Sequence, residues 1–304
     1  MFKTPIRPME PVLCPEAFDD DGWTAQVKWD GVRCLAYLDG DSCRLFNKRL
    51  HERTFQYPEL QELKKISRSR TAVLDGEVIV LSDGKPSFSA VLRRDWATNQ
   101  ANIRSAIRRL PVNYMIFDII GHHDRDLTKL TFNERQEILC SNIIETETIR
   151  LVENFPGMGN RLFQAVKEQN LEGVVLKRSD SPYVPGKKSS YWHKVKALRR
   201  QLCHVGGFTL TKAGLRSLLL GVPGEDSLVY AGRASIGLTE TDLKALHGFL
   251  SHHLTEKPPF KNPPRVSGVK LQWVKPVMTV EIEFLEWTDD LQLRHPKIIK
   301  LNLP

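Results

Sequence analysis

Apolar and polar positions alternate along two short runs near the start of the chain. Trp23 to Val27 reads as one strand. Val32 to Leu38 reads as a second, with Val32, Cys34, Ala36 and Leu38 set against Arg33 and Tyr37. Asp30-Gly31 between them predicts a hairpin turn. Thr71 to Leu81 is apolar enough for a buried strand and is broken by Asp75-Gly76-Glu77. Ser87 to Arg109 predicts helix in parts and carries Arg93, Arg94, Arg104, Arg108 and Arg109, a solvated basic face or a set of phosphate contacts. Thr131-Phe132-Asn133-Glu134 has the spacing of a capping box and opens a helix through about Ile144. Gly159 to Asn170 is a second amphipathic helix, leading into a strand that holds Glu172 to Lys177. Strands that alternate irregularly with helices favour a mixed α+β fold over a doubly wound parallel sheet.

The pattern shifts after Lys196. Ala197 to Gln201 contains Arg199 and Arg200 and lacks a core pattern, which predicts a linker and a division into residues 1–198 and 199–304. Short strands with glycine breaks follow at Cys203 to Leu210, Leu218 to Val222 and Leu228 to Ala231. A helix is expected from about Thr241 to Leu254, capped by Thr239 or Thr241, and Pro258 to Pro264 should be irregular. Short strands plus one helix in this length fit a small barrel of the OB type.

Composition narrows the class. At 304 residues, with 41% hydrophobic and 26% charged positions, the chain is an ordinary globular protein long enough for two cores. Its formal charge of +8 suits a polyanionic partner. Cys14, Cys34, Cys43, Cys140 and Cys203 are odd in number and scattered, so they read as reduced thiols of a cytosolic protein rather than a disulfide framework or zinc ribbon. Met1 to Pro11 is proline-rich and polar, unlike a signal peptide, and no apolar run reaches membrane-spanning length. A dinucleotide fingerprint and a Gly-rich Walker loop are both absent.

The candidate chemistry starts at Lys28, which the turn sets beside Asp30 and Arg33. A lysine is a nucleophile only when deprotonated, and a neighbouring cation or an apolar wall favours that form. An ordinary hairpin with solvated charges would carry the same residues, so the motif alone decides nothing. Lys28-x-Asp30-Gly31-x-Arg33 resembles the first motif of the covalent nucleotidyltransferases, which comprise DNA ligases, RNA ligases and mRNA capping enzymes. Four more resemblances follow in the family's order: Asp75-Gly76-Glu77; Tyr114 to Ile119 with Phe117-Asp118; Glu172-Gly173-Val174-Val175-Leu176-Lys177; and Trp192-His193-Lys194-Val195-Lys196. Each is short, but five in order make a strong signal. Val229-Tyr230-Ala231-Gly232-Arg233, Val280 to Phe284, Trp287-Thr288 and Leu293-Arg294-His295-Pro296 resemble the C-terminal domain of ATP-dependent DNA ligases. The likeness extends to the ligase module of bacterial double-strand-break repair.

That resemblance implies a mixed-sheet adenylation domain followed by an OB-fold domain. It also implies an enzyme that seals nicks in duplex DNA through a lysyl-AMP intermediate, with ATP and Mg²⁺. Lys28 would be the nucleophile and Asp30 a participant in the later steps. Lys194 and Lys196, on one face of a strand, would meet the α-phosphate. Glu172 would be the metal ligand, and Glu77 either a second ligand or a partner of the ribose. Arg33 would contact the ribose or the nick, and Phe117 would stack on adenine. Arg294 would meet the pyrophosphate leaving group.

Two positions depart from the family pattern. Asn47-Lys48-Arg49-Leu50 stands where relatives carry Ser-Arg-x-Gly, leaving open whether Lys48 or Arg49 contacts DNA. Gln26 stands where many relatives have glutamate, and a glutamine can rotate to suit adenine or guanine. An RNA ligase or capping-type enzyme is the alternative. A nucleic-acid-binding protein with a decayed site is disfavoured by the intact set of Lys28, Glu77, Glu172, Lys194 and Lys196. The expected protein is a monomer in the bacterial cytosol, gripping nicks alone or with a Ku-like end-binding protein.

Overall fold

In a computed structural model of the chain, the two strands flanking Asp30-Gly31 do not pair with each other. Trp23–Val27 pairs antiparallel with Gly173–Arg178, Gln26 lying opposite Val175. Val32–Asp39 lies between Ser42–Asn47 and Thr71–Ser82, with Arg33 opposite Glu77. The expected hairpin is therefore a crossover between two sheets. A Cβ on Gly31 would collide with the Val78 carbonyl and the Ile79 side chain. The glycine allows close passage past a neighbouring strand, a need that resembles a turn signal in the sequence.

The structure describes residues 4–304 other than 213, 225, 226, 238, 266, 267 and 289. They divide into two units, Met1–Ala197 and Leu198–Pro304. In the first unit one sheet has the order Glu10–Leu13, Lys188–Lys196, Gly173–Arg178, Trp23–Val27, Phe155–Pro156. The other runs Ser42–Asn47, Val32–Asp39, Thr71–Ser82, Val112–His122, Arg125–Asp126, with Lys85–Pro86 and Ile149–Leu151 paired alongside. Leu35, Val73 and Ile120 of the second sheet pack with Trp192 of the first. A buried tryptophan removes roughly 150–250 Å² from water, which is about 4–6 kcal/mol of stabilisation. The helix Gly159–Glu168 covers the outer face of the first sheet.

Local signals set the helices. Phe88–Asp95 and Gln100–Arg109 are separate, capped by Ser87 and Asn99. Phe132–Asn142 starts at the expected capping box, in which Thr131 and Glu134 satisfy each other's backbone N–H groups. Glu240–Ser251 is capped by Thr239.

The second unit corrects the predicted linker. Arg199–Thr211 is one long strand, so only Ala197 and Leu198 separate it from Lys188–Lys196. Its arginines lie on an exposed strand end, which hides the core pattern. Among the described residues, strands pair in the order Gly214–Pro223, Leu228–Ser235, Lys297–Asn302, Thr279–Phe284, Arg199–Thr211, and the last pairs back with the first. This closure gives the expected OB-type barrel, filled by residues such as Phe208, Leu218, Val280 and Ile282. No helix among the described residues is long and apolar enough to cross a membrane.

Candidate active site

Lys28 is the first residue beyond the Trp23–Val27 strand, and its position is fixed from the backbone outward. Its N–H donates to the Gly173 carbonyl at 2.9 Å. Gly173 has φ +150, and a Cβ there would strike the Val195 carbonyl, so only glycine fits between these strands. The preceding residue, Glu172, then meets the lysine: Nζ lies 2.5 Å from Oε2, with side chains 23% and 8% exposed. Lys194 sits on the adjoining strand, opposite Val175. Burial, then the charges of Lys28, Lys196 and Lys188, lower the pKa of its amine. Lys196, two residues further along the same strand, lies opposite Gly173.

Lys28 and Lys194 border a cavity of about 590 Å³ between the two sheets of the first unit. Gln26, Lys28 and Lys194 line it from one sheet; Arg33, Glu77 and Phe117 line it from the other. Lys48 and Arg49 also line it, exposed on a turn whose Asn47 side chain accepts from the Arg49 and His51 N–H groups, both at 3.0 Å. Burial pushes the Glu77 carboxyl up to about 8; Lys28 and Arg33 oppose this, while Glu172 and Asp30 reinforce it. A carboxyl that keeps its proton near neutrality suits a hydroxyl partner better than a metal.

Among the described residues no group of three or more His, Cys, Asp or Glu side chains is arranged to hold a metal. Magnesium is commonly held by one or two carboxylates, with phosphate and water oxygens completing the octahedron. The donor chemistry of Glu172, with Asp30 in the same charge cluster, fits that mode.

Arg33 lines the cavity and is also bonded into the fold. Nε and Nη2 donate to the two oxygens of Asp75, both at 2.6 Å, and Nη2 also donates to the Met9 carbonyl at 3.0 Å. Two of its three nitrogens are committed to the interior. Phe117 is both a core residue and a cavity residue, with Arg33 Cζ 4.7 Å from its ring centroid. Gln26 does not rotate freely: it is 2% exposed, and its Nε2 donates to Asn154 Oδ1 at 2.8 Å. Arg294 lies in the second unit, where Nη1 donates to Glu286 Oε1 at 2.8 Å. Asp75 and Lys177 stand inside quoted motifs without an assigned role, and Asn154 and Gln136 stand in none. No sequence signal marks the last two.

Lys177 is 2% exposed. Its Nζ donates to the Phe117 carbonyl at 3.0 Å and lies 4.2 Å from the Trp192 ring centroid and 4.5 Å from that of Phe117. Burial pushes its amine down to about 7, against the pull of Asp118 and Asp75. The rings act against burial, favouring the ammonium. The sign follows from linkage. The folded chain releases this proton near 7 and the unfolded chain near 10.5, so the destabilisation is full below 7 and fades as pH rises. Lys177→Met should therefore gain most over the wild type at pH 7 and below. By pH 9 the margin should shrink by up to ~1.4 kcal/mol per unit. Urea unfolding of both proteins at the two pH values measures this; a constant margin would mean that the rings keep the ammonium in the fold.

Residues 12–196 match the family described as ATP dependent DNA ligase domain, and residues 211–302 the ATP dependent DNA ligase C terminal region. The multifunctional non-homologous end joining DNA repair protein LigD of Mycobacterium tuberculosis is 32% identical over 278 residues, covering 90% of this chain and 35% of that protein. The chain thus spans about a third of the length of the first curated relatives it matches. A DNA ligase of Archaeoglobus fulgidus is 33% identical over 301 residues, covering 92% of this chain and 52% of the relative. The crystal structure of the ligase domain from M. tuberculosis LigD is similar at 29% identity and TM-score 0.56, covering 98% of this chain and 95% of that one. A Lig E DNA ligase structure, at 16% identity and TM-score 0.65 over 97% of this chain and 99% of that one, shares the fold. With both of its units matched in order, the chain belongs to the ATP-dependent DNA ligases.

Proposed function

We propose that this chain seals nicks in duplex DNA, joining a 3′-hydroxyl to a 5′-phosphate at the expense of ATP. The observation that carries the reading is Lys28, backbone-anchored at the wall of a nucleotide-sized cavity and paired with Glu172, with Lys194 on the adjoining strand. In the first step the Lys28 amine, having lost its proton, attacks the α-phosphorus of ATP. A P–N bond forms, the bridging P–O bond breaks, and pyrophosphate departs with the electron pair. The AMP then passes to the 5′-phosphate, where a P–O bond replaces P–N. Finally the 3′-hydroxyl attacks that phosphate, and AMP leaves. Such transfers depend on positioning and on charge at the non-bridging oxygens, the work assigned to Lys194 and Lys196.

Phe117 stacks on the base, and Glu77 bonds the ribose. Glu172 would hold Mg²⁺, with Asp30 beside it. When bound, the ion neutralises phosphate charge. Drawing Glu172 toward a metal would also free Lys28 from its carboxylate partner. Lys48 or Arg49, both exposed at the cavity, contacts DNA, and Arg33, which also lines the cavity, meets the ribose or the nick. As an enzyme of DNA it works inside the cell, and it acts as a monomer aided at broken ends by a Ku-like protein.

The test is incubation with α-labelled ATP, denaturation, and sealing of a nicked all-DNA duplex. Acid-labile label on the protein and a joined strand are expected. Absence of label sinks the reading, and label with joining only of RNA strands would replace it with the RNA-ligase alternative. Arg294→Ala should reduce self-adenylylation by at least about tenfold, yet spare sealing of a pre-adenylylated nick, because pyrophosphate leaves only in the first step. Equal losses in both assays would assign Arg294, already paired with Glu286, to the barrel's own structure.

A further inference from the structure

A chain of amide hydrogen bonds runs from the backbone of Phe117 to Gln26, and its polarity is fixed at one end. The Phe117 carbonyl can only accept, so Gln136 turns its amide nitrogen to it, with Nε2 3.1 Å from the oxygen. Gln136 Oε1 then accepts from Asn154 Nδ2 at 3.0 Å. Asn154 Oδ1 in turn accepts from Gln26 Nε2 at 2.8 Å. Reversing any one amide would set oxygen against oxygen or NH₂ against NH₂. The anchor is itself held, since the same carbonyl accepts from buried Lys177. Gln136 stands on the Phe132–Asn142 helix, which Arg135 pins to Asp118 through bonds of 2.8 and 2.9 Å. The group left over at the cavity end is Gln26 Oε1, two residues before Lys28.

We propose that Gln136 and Asn154 are positioning residues for base selection. They hold Gln26 with its carbonyl oxygen offered to the base, so a side chain able to read either purine reads one. Adenine presents an amino donor and guanine a carbonyl acceptor at the same ring position. A fixed acceptor takes the first and repels the second. The proposal rests on the reading that this cavity receives the nucleoside of ATP. It concerns how an uncharged glutamine performs a selection for which a glutamate would need no orientation.

The experiment measures kcat/KM for covalent labelling of the full chain by α-labelled ATP and GTP. Asn154→Leu and Gln136→Leu each free the Gln26 amide to reverse, and the ATP-to-GTP ratio should fall by about tenfold, mainly through better use of GTP. Asn154→Asp should keep the ratio, because an aspartate oxygen still accepts from Gln26 Nε2. Adding Gln26→Glu to Asn154→Leu should restore it, since both glutamate oxygens accept. Loss of structure alone would lower both nucleotides together and leave the ratio in place. An unchanged ratio in both leucine variants overturns the proposal while leaving the ATP site standing. If the wild type takes no label, or Lys28→Ala keeps it, the nucleotide reading of this cavity fails and the proposal goes with it.

Discussion

Lys28→Ala is expected to drop covalent AMP formation to background, at least about 10³-fold below wild type, and to abolish sealing from ATP. The rival nucleophile is Lys194, whose amine gives up its proton more readily than an ordinary lysine. It nevertheless leaves a different strand, opposite Val175, whereas Lys28 leaves the crossover beside Glu172. In-line attack tolerates little misplacement, so a neighbouring amine does not inherit the reaction. Lys28→Arg should fail as well, because a guanidinium stays protonated. Both variants should still join a nick whose 5′-phosphate already carries AMP, since that step needs no lysyl bond. Thermal unfolding must show that the fold survives the loss of Glu172's partner. Acid-labile label retained by Lys28→Ala, and lost on adding Lys194→Ala, would move the nucleophile to Lys194.

Short motifs made this site readable, because each sits at a strand end and carries its chemistry within a few residues. Helices were readable where a cap fixed them, as at Thr131 and Glu134. Pairing was a different matter. Alternation identifies Trp23–Val27 and Val32–Asp39 as strands, but it carries no information on their partners. Asp30-Gly31 then imitates a hairpin, although Gly31 is there to clear Val78. The bonds that finish the site join positions far apart in sequence, 144 residues from Lys28 to Glu172 and 128 from Gln26 to Asn154. Glu172 could be found because its own motif names it; Asn154 could not, as one asparagine between two short strands looks like any other. Charge misleads in the same way. Arg135 shares by spacing the face of Phe132 and Leu139, and its charge argues for solvent, yet its side chain is fully buried against Asp118.

The largest expected loss of stability is at Asp75, fully buried at the centre of a polar network. Its Oδ1 accepts from Arg33 Nε, and its Oδ2 accepts from Arg33 Nη2 at 2.6 Å and from the Tyr183 hydroxyl at 2.7 Å. The Tyr183 oxygen accepts in turn from the Met9 N–H at 3.0 Å, which ties the N-terminal segment to the sheet. Asp75→Ala would strand a guanidinium whose side chain is 14% exposed, together with a buried hydroxyl. Removing one partner of a buried ion pair costs about 3–5 kcal/mol, because the other charge is left uncompensated. Asp75→Asn keeps one acceptor oxygen and should lose less. Replacing both partners by apolar residues, Asp75→Leu with Arg33→Met, should also cost less than Asp75→Ala alone, as no charge is left behind. Urea unfolding of the four proteins at neutral pH gives the comparison. A loss below about 1 kcal/mol for Asp75→Ala, the range of an exposed pair, would mean that Arg33 finds another counter-charge. Its cross-strand neighbour Glu77 is the nearest carboxyl in register. In that case Arg33 belongs with the cavity rather than the core, and the ribose or nick contact expected from its motif would become its principal role.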